Sequence, residues 1–202
     1  MSLNPNDVIW VFDGRRGLSQ MLGELVDGLC ETIAPVLPPS VTAEHADAFE
    51  ALAADDGFDA TKHIDNIRLS RLFPRPVTPE HDADSHGWDS MIRNRATTMF
   101  EQAKQVRASI DAAGAIVPVR QREVHAWLQT LGALRASWHA VLTRSDAPNA
   151  EPTRDQLLGQ RPVAAMLDWL AYMIEDLLDT REACEMAGTG LDVEGIEEWT
   201  DD

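Results

Sequence analysis

The chain has 202 residues, 44% of them hydrophobic and 25% charged, values of a globular protein with room for one sizeable core. Its 34 acids against 17 bases leave a net charge of −17, which repels a phosphate backbone at long range. No apolar run reaches the roughly 18 residues of a membrane span. Met1–Asp7 lacks the basic stretch and apolar core of a secretion signal, so the expectation is a cytoplasmic protein with no membrane association.

Charge is distributed unevenly: −9 over residues 1–60, +3 over 61–150 and −11 over 151–202. The mildly basic middle keeps nucleic-acid binding open as an alternative reading. Cys30 and Cys184 are far apart and form no CxxC pair, so they read as small buried apolar groups rather than as a zinc site or a nucleophile.

Taken in chain order, Val8-Ile9-Trp10-Val11-Phe12 is a β-branched and aromatic run closed by Asp13-Gly14, which predicts a strand. Gly17–Met21 is a candidate hairpin partner across Arg15-Arg16. Leu22, Leu25, Val26, Leu29, Ile33, Val36 and Leu37 fall at helical spacing until Pro38-Pro39. A second helix is expected from an N-cap at Thr42 to about Gly57, and a third from Ile64 to Phe73. Val77 to Gly87, rich in Pro, Asp and His, reads as a loop.

The longest helix is expected from Trp88 to Ala113, closed by Gly114 and Pro118. Ile92, Met99, Val106 and Ala113 repeat every seven residues with Ala96, Ala103 and Ile110 between them, a bundle seam that also suits homodimerisation. Arg120 to Leu142 reads as the next helix, followed by a polar loop from Ser145 to Glu151. A last helix carries Val163, Met166, Leu167, Leu170, Ile174, Leu177 and Leu178. The fold class expected is therefore mainly α, a helical bundle with a short N-terminal β element. Residues 1–187 would form one domain, and 188–202 an acidic tail behind a Gly188-Thr189-Gly190 hinge.

No catalytic signature is present: no GxSxG, HExxH, Walker loop or GxGxxG. We therefore expect no catalytic residues and no cofactor, and a protein partner rather than a substrate. His81, Asp82, Asp84 and His86 put two imidazoles and two carboxylates within six residues, enough for a divalent cation if the loop curls round it. Their alternative is a solvated loop that caps the long helix.

On that helix Arg93, Thr97, Phe100, Lys104 and Arg107 share a stripe. Three cations and an aromatic on one face suit an acidic partner segment or phosphate, or else the chain's own acid-rich first and last helices. Arg135 is a candidate to pair with Asp168, Glu175 or Asp176. In the tail, acids alternate with Leu191, Val193, Ile196 and Trp199, a composition suited to docking in a basic, apolar groove or to folding back on the chain's own core.

Four groups of residues stand in a particular order: Arg71-Leu72-Phe73-Pro74; Arg93 and Thr97 with Lys104; Trp127-Leu128 with Leu134-Arg135; and Trp169-Leu170 with Leu177-Leu178. This series resembles the actinobacterial domain-of-unknown-function family 2017, with its "RLxP", "fRxxT…K", "WLxxLNxxRL" and "WLxxLQxxL" pattern, over residues 8–182. The first helix's acid is Glu24. The pattern's Asn is Gly132 here, its Gln falls at or near Ile174, and Arg75-Pro76-Val77 replaces the aromatic expected after "RLxP". The resemblance implies no established activity. It implies genes lying beside that of the substrate-recognition adaptor of the Clp protease, hence a link to regulated proteolysis, and a "transcriptional regulator" label on some members.

Overall fold

The structure, a computed structural model, describes residues 3–42, 55, 57–75 and 85–192. Its elements are β1 (Val8–Asp13), α1 (Leu18–Ile33), a 3-10 turn (Ala34–Val36), α2 (Pro39–Thr42), a second 3-10 turn (Ala60–His63), α3 (Ile67–Leu72), α4 (Ser85–Ala113), β2 (Ile116–Arg120), α5 (Val124–Thr143), α6 (Arg154–Gly159) and α7 (Arg161–Ala187). The fold is mainly α, with one two-stranded sheet among the described residues. No helix among the described residues is long and apolar enough to cross a membrane.

The sheet differs from the hairpin expected. Leu18 begins α1 instead of a second strand, and β1 pairs antiparallel with β2, Trp10 opposite Val119 and Asp13 opposite Ile116. Pro118, read from sequence as helix punctuation, is a strand residue. The Gly14 N–H donates to the Ala115 C=O at 2.7 Å, and antiparallel alternation then makes Phe12↔Val117 and Trp10↔Val119 the hydrogen-bonded pairs. Pro118, opposite Val11, occupies a non-hydrogen-bonded position where its missing N–H costs nothing. The branched residues Ile116, Val117 and Val119 bury their side chains there.

Other boundaries shift for local reasons. Pro35 tightens the end of α1 into a 3-10 turn at Ala34, so the helix stops short of Leu37. Thr42 lies inside α2 rather than capping a helix, and residues 43–54 of the second expected helix lie outside the described residues. Asn66, not Ile64, starts α3, its side chain accepting the Leu69 N–H at 3.0 Å. The expected loop gives way to α4 already at Ser85. A capping box of Thr153 and Gln156 starts α6, which sequence reading passed over.

α5 is the central helix. Val124, Trp127, Leu131 and Leu134 are buried on one side and Ala126, Thr130, Ala133 and Ala140 on another, as expected of a helix surrounded by neighbours. It packs against α3, α4, α7 and α1. The seam of α4 (Ile92, Ala96, Met99, Ala103, Val106, Ile110) is buried within this single chain against α1 and α5, so that face is already covered. Ala113, the last repeat of the seam, is exposed. Trp10, Phe12, Trp127 and Trp169 meet where β1, α5 and α7 converge, with Trp10 edge-on to Trp127 at 5.6 Å and Phe12 at 6.3 Å from Trp169.

Asp89 is the one charged residue classed as buried among the described residues, at 7% exposure. It accepts the Ala60 N–H at 2.7 Å and pairs with Arg93 at 2.8 Å, tying the 60–63 turn to α4. Asp89→Ala would strand both partners and should cost about 2–3 kcal/mol, whereas Asp89→Asn, which keeps an acceptor for the amide, should cost about 1 kcal/mol. Urea unfolding midpoints of the two variants test this; equal losses would mean that the amide contact contributes little.

Candidate functional site

The basic stripe of α4 is a real face, and it is turned toward α1. The Arg107 guanidinium crosses α1 above Gly23, where a Cβ would stand 3.3 Å from Cζ, and its Nε donates to both carboxylate oxygens of Asp27 at 3.1 Å. Arg107 also pairs with Asp111, and the two acids, Asp27 first, hold its pKa above the ordinary value. Arg93 is engaged by Asp89. Lys104 is exposed, its ammonium 5.4 Å from the Phe100 ring centre. Two of the three cations thus meet acids of their own chain.

The Arg135 pairing expected with α7 does not form. Arg135 is exposed with no ion pair to Asp168, Glu175 or Asp176, because Asp176 instead accepts the Trp10 indole N–H at 2.7 Å. Of the other arginines, Arg68 lies over Trp138 at 4.8 Å and Arg75 over Trp88 at 5.3 Å. Arg71 reaches the carbonyls of Asp146 and Pro148. Cys30 and Cys184 are free thiols whose pKa values burial pushes up, which disfavours the nucleophilic thiolate.

Of the candidate metal ligands, His81, Asp82 and Asp84 lie outside the described residues. His86 stands in the first turn of α4, its side chain likewise outside them. Among the described residues no group of three or more His, Cys, Asp or Glu is placed to hold a metal ion. Trp199 and residues 193–202 also lie outside.

A different surface stands out. Beside the buried seam, α4 and α5 leave a groove in two adjoining parts of about 680 and 380 Å³ that share Arg95, Met99 and Gln129. Met91, Met99 and Leu128 give it an apolar floor, while Asn94, Gln102 and Gln129 offer amides. Arg71, Arg95 and His125 supply cationic or titratable groups. No aspartate or glutamate is among the described residues lining either part, in a chain with twice as many acids as bases. Small residues on α5, Gly132, Ala133 and Ala136, widen it at the α3 end.

Sequence reading missed Arg95, Met91 and Gln129. The signal was available as a second stripe of α4, Met91, Asn94, Arg95, Thr98 and Gln102 at three- and four-residue spacing, but nothing in one helix says which neighbour leaves that stripe uncovered.

The geometry defines a mainly helical protein with an interhelical groove that no carboxylate among the described residues lines. The family model described as "Domain of unknown function (DUF2017)" matches residues 13–181, and the chain belongs to that family. The match takes in the groove and leaves out most of β1 and everything after Arg181. No curated protein matches the chain, and no solved structure does.

His139 lies one turn beyond Ala136 on α5, its Nδ1 buried with no hydrogen-bond partner among the described residues. Burial first, then the charges of Arg71 and Arg135, hold its pKa below the ordinary 6.5. The neutral form is favoured in the folded state, so this contribution to stability is complete above about pH 6.5 and declines as pH falls below it. In an NMR titration, Arg135→Gln should raise the His139 pKa while leaving it below 6.5, because the burial cause persists. An unchanged value would remove the arginine contribution.

Proposed function

We propose that the chain is a non-enzymatic interaction protein, and that the α4–α5 groove receives a segment of a protein partner in which acids alternate with apolar residues. The observation that carries this reading is the combination of a methionine-lined floor with Arg71, Arg95 and His125 and no carboxylate among the described lining residues, in a chain of net charge −17. Methionine side chains adapt to varied apolar shapes, and an isolated cationic wall selects acidic partners by charge complementarity. Both features suit recognition of a peptide segment better than chemistry on a small substrate. Regulated, Clp-type proteolysis is the setting that the family resemblance favours, and a cytoplasmic location follows from it.

This places the contact on the face of α4 opposite the Arg93/Lys104/Arg107 stripe. Since Arg93 and Arg107 hold Asp89, Asp27 and Asp111, the stripe offers Lys104 as its least engaged cation. The alternative of a nucleic-acid-binding regulator drawing on the +3 middle segment loses support for the same reason.

Panning a displayed peptide library against the chain tests the reading. Enriched peptides should carry acids between apolar residues and should bind Arg95→Glu at least tenfold more weakly, about 1.4 kcal/mol. Enriched peptides bound equally by both forms would place the contact elsewhere. Duplex DNA bound at low salt, with affinity falling steeply as salt rises, would favour the alternative.

A further inference from the structure

Four arginines gather where α3, α4 and α5 meet: Arg68 and Arg71 on α3, Arg95 on α4 and Arg135 on α5. None of them makes an ion pair among the described residues. With 34 acids to 17 bases in the chain, composition works against such a surplus. Arg68 is half-buried against Trp138, and burial alone lowers its pKa, with no carboxylate to offset it. The Nε atoms of Arg68 and Arg71 are buried with no hydrogen-bond partner among the described residues. Arg71 turns its terminal nitrogens to two loop carbonyls at 3.3 and 3.5 Å, long contacts that carry no counter-charge.

Arg71 and Arg95 line the same 380 Å³ cavity at the α3 end of the groove. His139 follows one turn after Ala136 of its wall, with Arg71 facing it from α3 and Arg135 from its own helix, both close enough to disfavour a third positive charge. Guanidinium groups held together without counter-ions are completed by a negative charge brought from outside. A single carboxylate offsets one of them. A phosphate monoester carries about −1.5 to −2 at pH 7 and three strong acceptor oxygens, enough to engage several guanidinium groups at once. The diester of a nucleic acid carries one charge per unit, on a polymer that a chain of net charge −17 repels at long range. The cavity also opens through Arg95, Met99 and Gln129 into the larger, methionine-lined part of the groove, room that a phosphate group alone would leave empty.

We propose that the α3 end of the groove is a phosphoryl-group subsite, in which Arg71, Arg95 and Arg135 receive the phosphate monoester of a phosphorylated serine or threonine in the partner segment. This rests on the reading of the groove as a peptide acceptor and adds a switch to it, since the segment binds tightly only once it is phosphorylated. The bound dianion offsets Arg71 and Arg135, so His139 gains a proton more readily in the complex than in the free protein.

NMR on the full chain near neutral pH tests the subsite with methyl phosphate, a monoester, and dimethyl phosphate, a diester that stands in for nucleic-acid and lipid backbones. Methyl phosphate should shift the His139 ring signals saturably, raise the His139 pKa and bind about tenfold more tightly than the diester. Arg71→Gln and Arg135→Gln should each weaken it while the rest of the spectrum is kept; if Arg71→Gln unfolds the chain, the exposed Arg135 alone decides. Two pools of peptides with acids between apolar residues, alike except for a fixed serine or phosphoserine, identify the carrier. The phosphoserine pool should bind about tenfold more tightly and lose that advantage in Arg135→Gln. Equal binding of the pools would overturn the subsite and leave the peptide groove standing. Methyl phosphate bound with neither pool bound would make the ligand a free phosphate ester, overturning both the proposal as stated and the groove reading. Equal binding of the two esters would point to a diester backbone and overturn it as well.

Discussion

The meeting of four aromatic rings, Trp10, Phe12, Trp127 and Trp169, is the contact on which the rest of the arrangement depends. It joins the first strand, the central helix and the last helix, three elements with no sequence proximity. Trp127 is fully buried, and its indole N–H has no partner among the described residues. That unsatisfied donor is tolerated only because the ring fills a space to which β1 and α7 both contribute; removing a buried tryptophan side chain typically costs about 3–5 kcal/mol. Trp10 adds direction to the cluster, since its N–H must reach Asp176, which fixes the rotation of α7 about its own axis.

Charge is sorted around this core rather than spread over it. The bases of the middle segment are spent in different ways: Arg107 and Arg93 on nearby carboxylates, Arg68 and Arg75 on tryptophan faces, Arg71 on loop carbonyls. What remains between α4 and α5 is a surface that no acid among the described residues lines. For an acidic chain, such a surface is the one to which the acidic segment proposed above would be drawn against the long-range repulsion of the rest.

Most helices were legible because a sided apolar pattern persists for four or more turns in α1, α4, α5 and α7. β1 was legible from its branched and aromatic run. β2 was not, because Gly114 and Pro118 look like helix punctuation until the pairing with β1 reveals that Pro118 needs no donor. The Thr153–Gln156 spacing of a capping box was visible in the sequence but too brief to compete with the polar residues before it. For the site, periodicity correctly grouped Arg93, Lys104 and Arg107 on one face. It could not say that α1 packs there, nor that the bare face lies on the other side, since each half of the groove is contributed by a different helix.

The pairing of β1 with β2 also bears on how the chain acquires its shape. Val8 and Arg120 are partners although 112 positions separate them. Closing so long a loop costs about 2 kcal/mol more than closing one of ten residues, so local helices should form before the sheet does. During synthesis at roughly 5–20 residues per second, the first strand waits on the order of 5–20 s for its partner to be made. Throughout that interval Val8-Ile9-Trp10-Val11-Phe12 is an uncovered, uncharged β-forming run, the kind of segment that self-associates. Asp7 and Asp13 bracket it. In the folded protein Asp13 pairs with Arg15 at the turn; in the nascent chain the two carboxylates act as gatekeepers that keep the run from joining another copy of itself before β2 arrives.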